Sequence, residues 1–348
     1  MKVIVGMSGG VDSSMAAYLL KKQGYEVEGL SLILFETRGR KDPKSCCSLE
    51  AINDAAETAA RIGISHRVIN ARDAFIEKVI EPFVLGYKRG ITPNPCILCN
   101  RHIKFPVLLG EADASGAGFV ATGHYARVGE GLLKTGVDGS KDQSYVLYAL
   151  RKEEISRLIL PLGDFLKTDV RKMARESGLP VFGRPESQEI CFIAGKDYTP
   201  VIKELSPESV VPGHIINEEG KIIGAHKGIY AYTIGQRKGL GISSPYPLYV
   251  TKIDAGDNSV HVGRREAAMR REFEVFDLNW FIYKKDDFRA AVKVRSMMKA
   301  APALIKIAKD CVRVIFDKPE WAPAPGQSAV FYEGDKVIGG GIIGEDGL

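Results

Sequence analysis

The stretch VIVGMSGGVDSS, Val3–Ser14, limits the fold of this chain more than any other. Val3 to Gly6 is a short β-branched run of the kind found in buried parallel strands. SSMAAYLLKKQG then has the spacing of an amphipathic helix, with Met15, Leu19 and Leu20 facing inward and Gly24 as its stop. Between them, after Gly6 and Met7, run Ser8, Gly9, Gly10, Val11, Asp12, Ser13 and Ser14. Glycines there let backbone N–H groups close around an anion, and the helix N-terminus adds partial positive charge. Ser8, Ser13 and Ser14 bring hydroxyl donors for phosphate oxygens. The loop lacks the Gly-Lys-Ser/Thr ending of one common nucleotide loop and the third glycine of the dinucleotide fingerprint. Asp12 is the odd member. A carboxylate beside phosphates repels them unless a divalent cation lies between, which predicts a Mg²⁺ role for it. The plain alternative is an Asp capping the helix of a mere turn; the length of the string favours a nucleotide site.

Strand-like and helix-like segments alternate through the first half of the chain. YEVEGLSLIL reads as a second strand, LEAINDAAETAARIGI as a helix, SHRVINA as a third strand and GAGFVATGHYARV as a fourth. That order predicts an α/β fold with a doubly wound parallel sheet. Ligands of such sheets bind beyond the carboxyl ends of the strands, so the loop after Gly6, Leu32 and Gly123 are expected to face one crevice. After about Lys196 the language changes to short alternating runs between Gly turns, first hairpin-like and then, from about Phe273, like a small β-barrel. At 348 residues the chain exceeds one compact core. The expected division is 1–196, 197–272 and 273–348.

Net charge is +5, a mild basicity compatible with an RNA partner. No apolar run approaches the ~20 residues that cross a bilayer, which predicts no membrane partner. The six cysteines lack the density of a disulfide scaffold, so a reducing cytoplasm is expected. Two of them, Cys96 and Cys99, form a Cys-x-x-Cys in TPNPCILCNRHIKF. Such a pair is half of a metal site, a thiol–disulfide couple, or a nucleophile with an accomplice. Cys46 and Cys47 lie in a polar stretch and read as incidental loop thiols, whereas Cys311 reads as a core residue of a strand.

The loop at Ser8–Ser14 resembles the pyrophosphatase loop of ATP-dependent adenylating enzymes, in which an oxygen nucleophile attacks the α-phosphate of ATP and pyrophosphate leaves. With TPNPCILCN, ATGHYA, KDQSYVLY, LPLGDFLKTDVRKMARESGLP, SQEICFI, YTIGQRKGLGI and APGQSAVFYEGDKVIGGGII, nearly the whole chain resembles the bacterial tRNA-specific 2-thiouridylase family. The resemblance implies ATP as substrate, a C-terminal barrel that contacts tRNA, and replacement by sulfur of the C2 oxygen of the wobble uridine. It assigns Cys99 as nucleophile and Cys191 as the persulfide carrier fed by a sulfur-donor protein. Lys104, Arg101 and His102 lie close in sequence to Cys99 and would help to form its thiolate. Cys96 is then a bystander or a protective disulfide partner. A second route uses the same thiols differently: Cys96, Cys99 and Cys191 would hold three irons of a [4Fe–4S] cluster. A zinc site with His102 is a lesser variant.

RNA contact is implied for His124, Lys141, Asp142 and Gln143, and base contact for Asn94, Pro95 and Cys96. Lys141 suits phosphate, whereas Asn94 and Gln143 suit a base edge. The blander reading makes KDQS a solvated turn and His124 a structural histidine. In the barrel, Arg295 with Ser296, and Gln327, are the positional candidates. Ser296 stands where many members carry an aromatic residue, so Arg295 is given a backbone role only. Gln236, Arg237 and Lys238 would form a basic RNA-facing surface, or simply a turn between Gly235 and Gly239. Other adenylating ligases share the ATP chemistry and remain the rival class, although both sulfur sites would then be idle.

Overall fold

The computed structural model describes residues 1–35, 49–184, 190–193, 195 and 197–345. Cys46 and Cys47 therefore lie outside the described residues. The chain gathers into two compact units: Met1–Val79, Pro95–Lys196 and Asp335–Val337 make the first, and the remaining segments the second.

The first unit is built on a parallel sheet. β1 (Lys2–Gly6) is followed by α1 (Val11–Lys22), β2 (Glu26–Ile33), α2 (Leu49–Ile62) and β3 (Ser65–Asn70). Then come β4 (Phe119–Ala121), the hairpin β5 (Ala126–Gly129) and β6 (Leu132–Thr135), and β7 (Leu158–Ile159). Strand order is β3-β2-β1-β4-β7. β1 thus lies between two parallel partners, and Val3, Ile4 and Val5 are completely buried. Helices on both faces explain why the strand reads as an unbroken apolar run rather than an alternating one. Met15 and Leu20 of α1 are buried as the helical spacing predicts, and Gly24 takes the left-handed φ of +85° that ends a helix. The fourth strand, β4, ends at Ala121, and Thr122–Tyr125 connect it to β5.

The second unit contains two β structures. β8 (Gly213–Ile216), β9 (Ile222–His226), β10 (Tyr249–Asp254) and β11 (Ser259–Gly263) form a sheet in the order β10-β11-β8-β9. β12 (Met269–Trp280), β13 (Phe288–Lys293), β14 (Ala301–Ile307), β15 (Val312–Trp321), β16 (Ser328–Glu333) and β17 (Lys336–Ile343) run antiparallel in the order β12-β15-β14-β13-β16-β17. A further β12–β17 pairing closes them into a barrel. Phe273, Val292, Ile305, Val314, Phe316 and Phe331 fill it, each from an inward position of its strand. Cys311 is not a core residue: it sits in the turn between β14 and β15, where its carbonyl accepts from Ala308, and it is half-buried. No helix among the described residues is long and apolar enough to cross a membrane.

Candidate active site

β1 is where the strand order changes direction, since β2 and β4 flank it on opposite sides. Ligands of open α/β sheets bind at such a point, beyond the strands' carboxyl ends. The loop Met7–Gly10 leaves β1 there. It is tied to β2 by the Met7 N–H donating to Leu30 O, and by the Ser31 hydroxyl donating to Met7 O, both at 2.8 Å. Gly9 has φ +70°, and a Cβ on it would lie 2.1 Å from the Ala51 carbonyl oxygen, so only glycine fits. From the other side Gly123 approaches: a Cβ there would lie 2.6 Å from the Asp12 carbonyl carbon and 2.7 Å from the Ser13 nitrogen. The first turn of α1 and the segment after β4 therefore approach within backbone contact. Leu32 is half-buried near the end of β2.

Within the loop, Ser8 N–H donates to Ser13 Oγ at 3.0 Å, and the two hydroxyls are 3.2 Å apart. Ser8 is exposed and Gly10 half-buried, so the loop's outer rim is open to an anion. Ser14 is placed differently from its neighbours. Its Oγ is buried without a hydrogen-bond partner, so it lines the inside of the helix rather than offering a phosphate contact.

Asp12 has company that its own neighbourhood in sequence gives no hint of. Lys167 Nζ donates to both of its carboxylate oxygens at 2.6 Å, and the Tyr125 hydroxyl donates to Oδ1 at 2.8 Å. The ammonium also lies 5.4 Å from the centre of the Tyr125 ring. Lys167 is itself buried and opens the helix Lys167–Glu176, where its backbone N–H is held by Asp138 Oδ2 at 3.0 Å. The Ser140 hydroxyl, and next the Lys167 N–H, hold the Asp138 carboxyl below its usual range. Asp12 thus meets a protein cation, where the sequence reading put Mg²⁺. No three His, Cys, Asp or Glu side chains converge as a metal site among the described residues. A magnesium ion here would be held chiefly by phosphate and water oxygens.

Cys96 and Cys99 share the one-turn helix Pro95–Cys99, with Cys96 exposed and Cys99 8% exposed. A π-helical turn, Asn100–Lys104, follows. Asn100 anchors it by donating from Nδ2 to Val146 O at 2.9 Å, while its Oδ1 is buried without a partner. Cys191 is half-buried, and its neighbour Phe192 stands edge-on to Phe75 and Phe35. Both sulfur positions therefore belong to the first unit, with the anion loop. Among the described residues, Cys96, Cys99 and Cys191 do not gather as a metal-binding set, nor does His102 join them. No step is assigned to a [4Fe–4S] cluster or zinc.

Three family models match the chain in succession: a tRNA methyl transferase HUP domain over 1–195, a tRNA methyl transferase PRC-barrel domain over 200–264, and an aminomethyltransferase β-barrel domain over 270–343. The tRNA-specific 2-thiouridylase MnmA 2 of Caldanaerobacter subterraneus is 48% identical, over 98% of this chain and 97% of its own. The tRNA-specific 2-thiouridylase of Clostridium acetobutylicum is 45% identical, over 98% and 99%. The chain belongs to the tRNA-specific 2-thiouridylase family.

The residues that the thiouridylase resemblance ties to RNA prove to carry structural bonds as well. Asp142 accepts from Gly136 N–H, Ser144 N–H and the Ser144 hydroxyl, forming an Asx turn just before the short helix Ser144–Leu147. Gln143 Oε1 accepts from Tyr125 N–H at 2.9 Å, which positions the tyrosine that holds Asp12. Lys141 is half-buried at the turn before them. His124 hydrogen-bonds through Nδ1 with Thr122 Oγ1 at 2.7 Å and lies over Phe105. Burial, and secondarily the Lys104 charge, hold its pKa well below the usual histidine value.

In the second unit, Arg295 Nη2 donates to the carbonyls of Ile234 and Ala322 at 2.8 and 3.0 Å, an internal tie. Ser296 follows it, half-buried. Gln327 Nε2 donates to Thr92 O at 2.9 Å, and Thr92 N–H donates to Pro325 O, fixing the segment that leads to Asn94. Asn94 is half-buried and Pro95 buried. Lys167, Tyr125 and Asp138 were missed in the sequence; a lysine among apolar helix residues in LGDFLKTDV is the only local signal.

Proposed function

We propose that this chain thiolates tRNA: with ATP it activates the C2 oxygen of the wobble uridine and replaces it by sulfur. The C2 oxygen forms a bond to the α-phosphorus and pyrophosphate leaves. The outer sulfur of a Cys191 persulfide then bonds to C2, and AMP departs with the former oxygen. Cys99, as thiolate, attacks the inner sulfur of the resulting C2–S–S–Cys191 linkage. That step frees 2-thiouridine and leaves a Cys99–Cys191 disulfide, which a cellular thiol reductant must reopen with two electrons. A persulfide-bearing donor protein reloads Cys191.

The observation that carries this reading is that one unit holds the anion loop, Cys99 and Cys191 together, in a chain alike from end to end to named 2-thiouridylases. Ser8 and the backbone of Gly9 and Gly10 suit the β- and γ-phosphates. Lys167, held in place by Asp12 and Tyr125, supplies the cation for the departing pyrophosphate, and Mg²⁺ enters on the nucleotide's own oxygens. Gln143 and the neutral His124 suit a base edge better than a phosphate. We place the reaction in the cytoplasm, where thiols stay reduced, and divide the chain functionally at 1–196, 197–272 and 273–348.

The test is AMP and pyrophosphate release from ATP with and without unmodified tRNA. Release that requires tRNA supports the reading. Release at full rate without it points to a small-molecule ligase and overturns the assignment of substrate.

A further inference from the structure

Lys141, Asp142 and Gln143 belong to a stretch of the first unit that is fastened toward the anion loop at two points. The first is Tyr125. Gln143 N–H donates to Tyr125 O at 2.8 Å, and Tyr125 N–H donates to Gln143 Oε1 at 2.9 Å. Gly136 approaches the same residue, since a Cβ on it would lie 2.9 Å from Tyr125 O. The second is the helix Lys167–Glu176 and the turn before it. Val137 N–H donates to Gly163 O at 2.8 Å, and Asp138 Oδ2 accepts from Lys167 N–H at 3.0 Å. Lys141 N–H donates to Asp138 O at 3.0 Å, which joins the two fastenings.

Both lead to Asp12. The Tyr125 hydroxyl and the Lys167 ammonium share its Oδ1, at 2.8 and 2.6 Å. Tyr125 is 3% exposed and Lys167 7% exposed, so their side chains lie out of reach of an RNA strand, whereas Lys141 and Gln143 are only half-buried. Force applied at Lys141–Gln143 therefore passes through direct bonds to the carboxylate and ammonium beside the anion loop. A packed interior moves such groups together rather than absorbing the displacement. The hold of an ammonium on a phosphate changes steeply with distance where water is scarce.

We propose that Tyr125 is a positioning residue that couples RNA at Lys141–Gln143 to the Asp12–Lys167 pair, so that the nucleotide site tightens on ATP once tRNA is in place. This rests on the proposed thiolation of tRNA and on RNA contact at Lys141 and Gln143. It suits that reaction, because a site that waits for its acceptor oxygen does not spend ATP on water.

The test is the affinity of the full chain for α,β-methylene-ATP, which cannot release pyrophosphate, with and without saturating unmodified tRNA. In the wild-type chain tRNA is expected to tighten the analogue about tenfold, and the analogue to tighten tRNA by the same factor. Tyr125→Phe keeps the ring and the backbone bonds to Gln143 and removes only the hydroxyl. It is expected to bring the factor down to about two or less, with tRNA affinity in the absence of nucleotide unchanged. A merely structural tyrosine would alter the separate affinities and leave the factor in place. Asn100→Ala cuts a different tie of the same region, the bond to Val146 O, and is expected to keep the factor. Should Tyr125→Phe not fold, Asp138→Ala, which removes the second fastening, decides in the same way. A factor undiminished in Tyr125→Phe, an equal loss in Asn100→Ala, or no coupling in a wild-type chain that thiolates tRNA overturns the inference alone. A wild-type chain that neither binds tRNA nor releases AMP with it overturns the thiolation reading itself.

Discussion

At the scale of single residues the account turns on Asp12 and the thiols. Asp12 was legible as a member of a nucleotide loop because its neighbours Gly9, Gly10 and Ser13 are adjacent in sequence. Its partner was not, because Lys167 lies 155 residues away and only the tertiary fold brings the two together. Removing one member of a largely buried ion pair leaves the other uncompensated. Asp12 retains 34% side-chain exposure, which moderates the effect. Asp12→Ala is therefore expected to cost about 2 kcal/mol of stability, read by denaturant unfolding, and to slow tRNA-dependent pyrophosphate release at least tenfold. Lys167→Gln should slow the same release while the loop still binds nucleotide. Undiminished release in both variants would remove the pair from the chemistry. For the sulfur steps, Cys191→Ala and Cys99→Ala should each abolish 2-thiouridine, read by mass spectrometry of nucleosides, while AMP release persists. Cys96→Ala should leave thiolation intact, since Cys96 is exposed and shares no metal set with the other two.

At the scale of elements, most of the fold was readable, for a local reason. β1, α1, β2, α2 and β3 each declare themselves by an apolar period and a stop within their own residues. So do the strands of the barrel, where inward positions alternate through Val312, Val314 and Phe316. The failures came where the backbone changes direction. The length of β5, Ala126–Gly129, after the Thr122–Tyr125 turn was not legible, because Gly123 must come within reach of the Asp12 backbone. Cys311 looked like a strand residue because Val312 follows it, but the hairpin turn takes it. Asp142 shows a middle case: its turn onto Ser144 follows from an Asp two residues before a serine, whereas the role of Gln143 in fixing Tyr125 needs the fold. The close approach makes a sharp prediction. Gly123→Ala has backbone rather than a flexible side chain in its way, so it should cost about 1–3 kcal/mol and nearly eliminate AMP release. Wild-type release from a stably folded Gly123→Ala chain would show that this contact does not shape the site.

At the scale of the whole molecule, three partly or fully buried histidines set the response to acid. Burial lowers the pKa of His66, His124 and His226, in His124 with help from Lys104. Each therefore binds its proton at higher pH in the unfolded chain than in the folded one. Their contribution to stability is complete above the unfolded value of 6.5 and is lost as pH falls below it, by up to about 1.4 kcal/mol per pH unit for each group. Unfolding curves between pH 7 and 5 should show this decline, and His124→Gln should make it shallower; an unchanged slope would mean that His124 is protonated in the fold. The net charge of +5 acts at the same scale, favouring the approach of a polyanion to the chain.

The most direct measurement is 2-thiouridine formed in unmodified tRNA by iron-free chain, given ATP, Mg²⁺, a persulfide donor and a thiol reductant, with Cys191→Ala beside it. The account predicts 2-thiouridine at the wobble position from the wild-type chain, matched one-for-one by AMP, and none from the variant. Thiolation by Cys191→Ala, or thiolation by wild type only after an iron–sulfur cluster is restored, would contradict it.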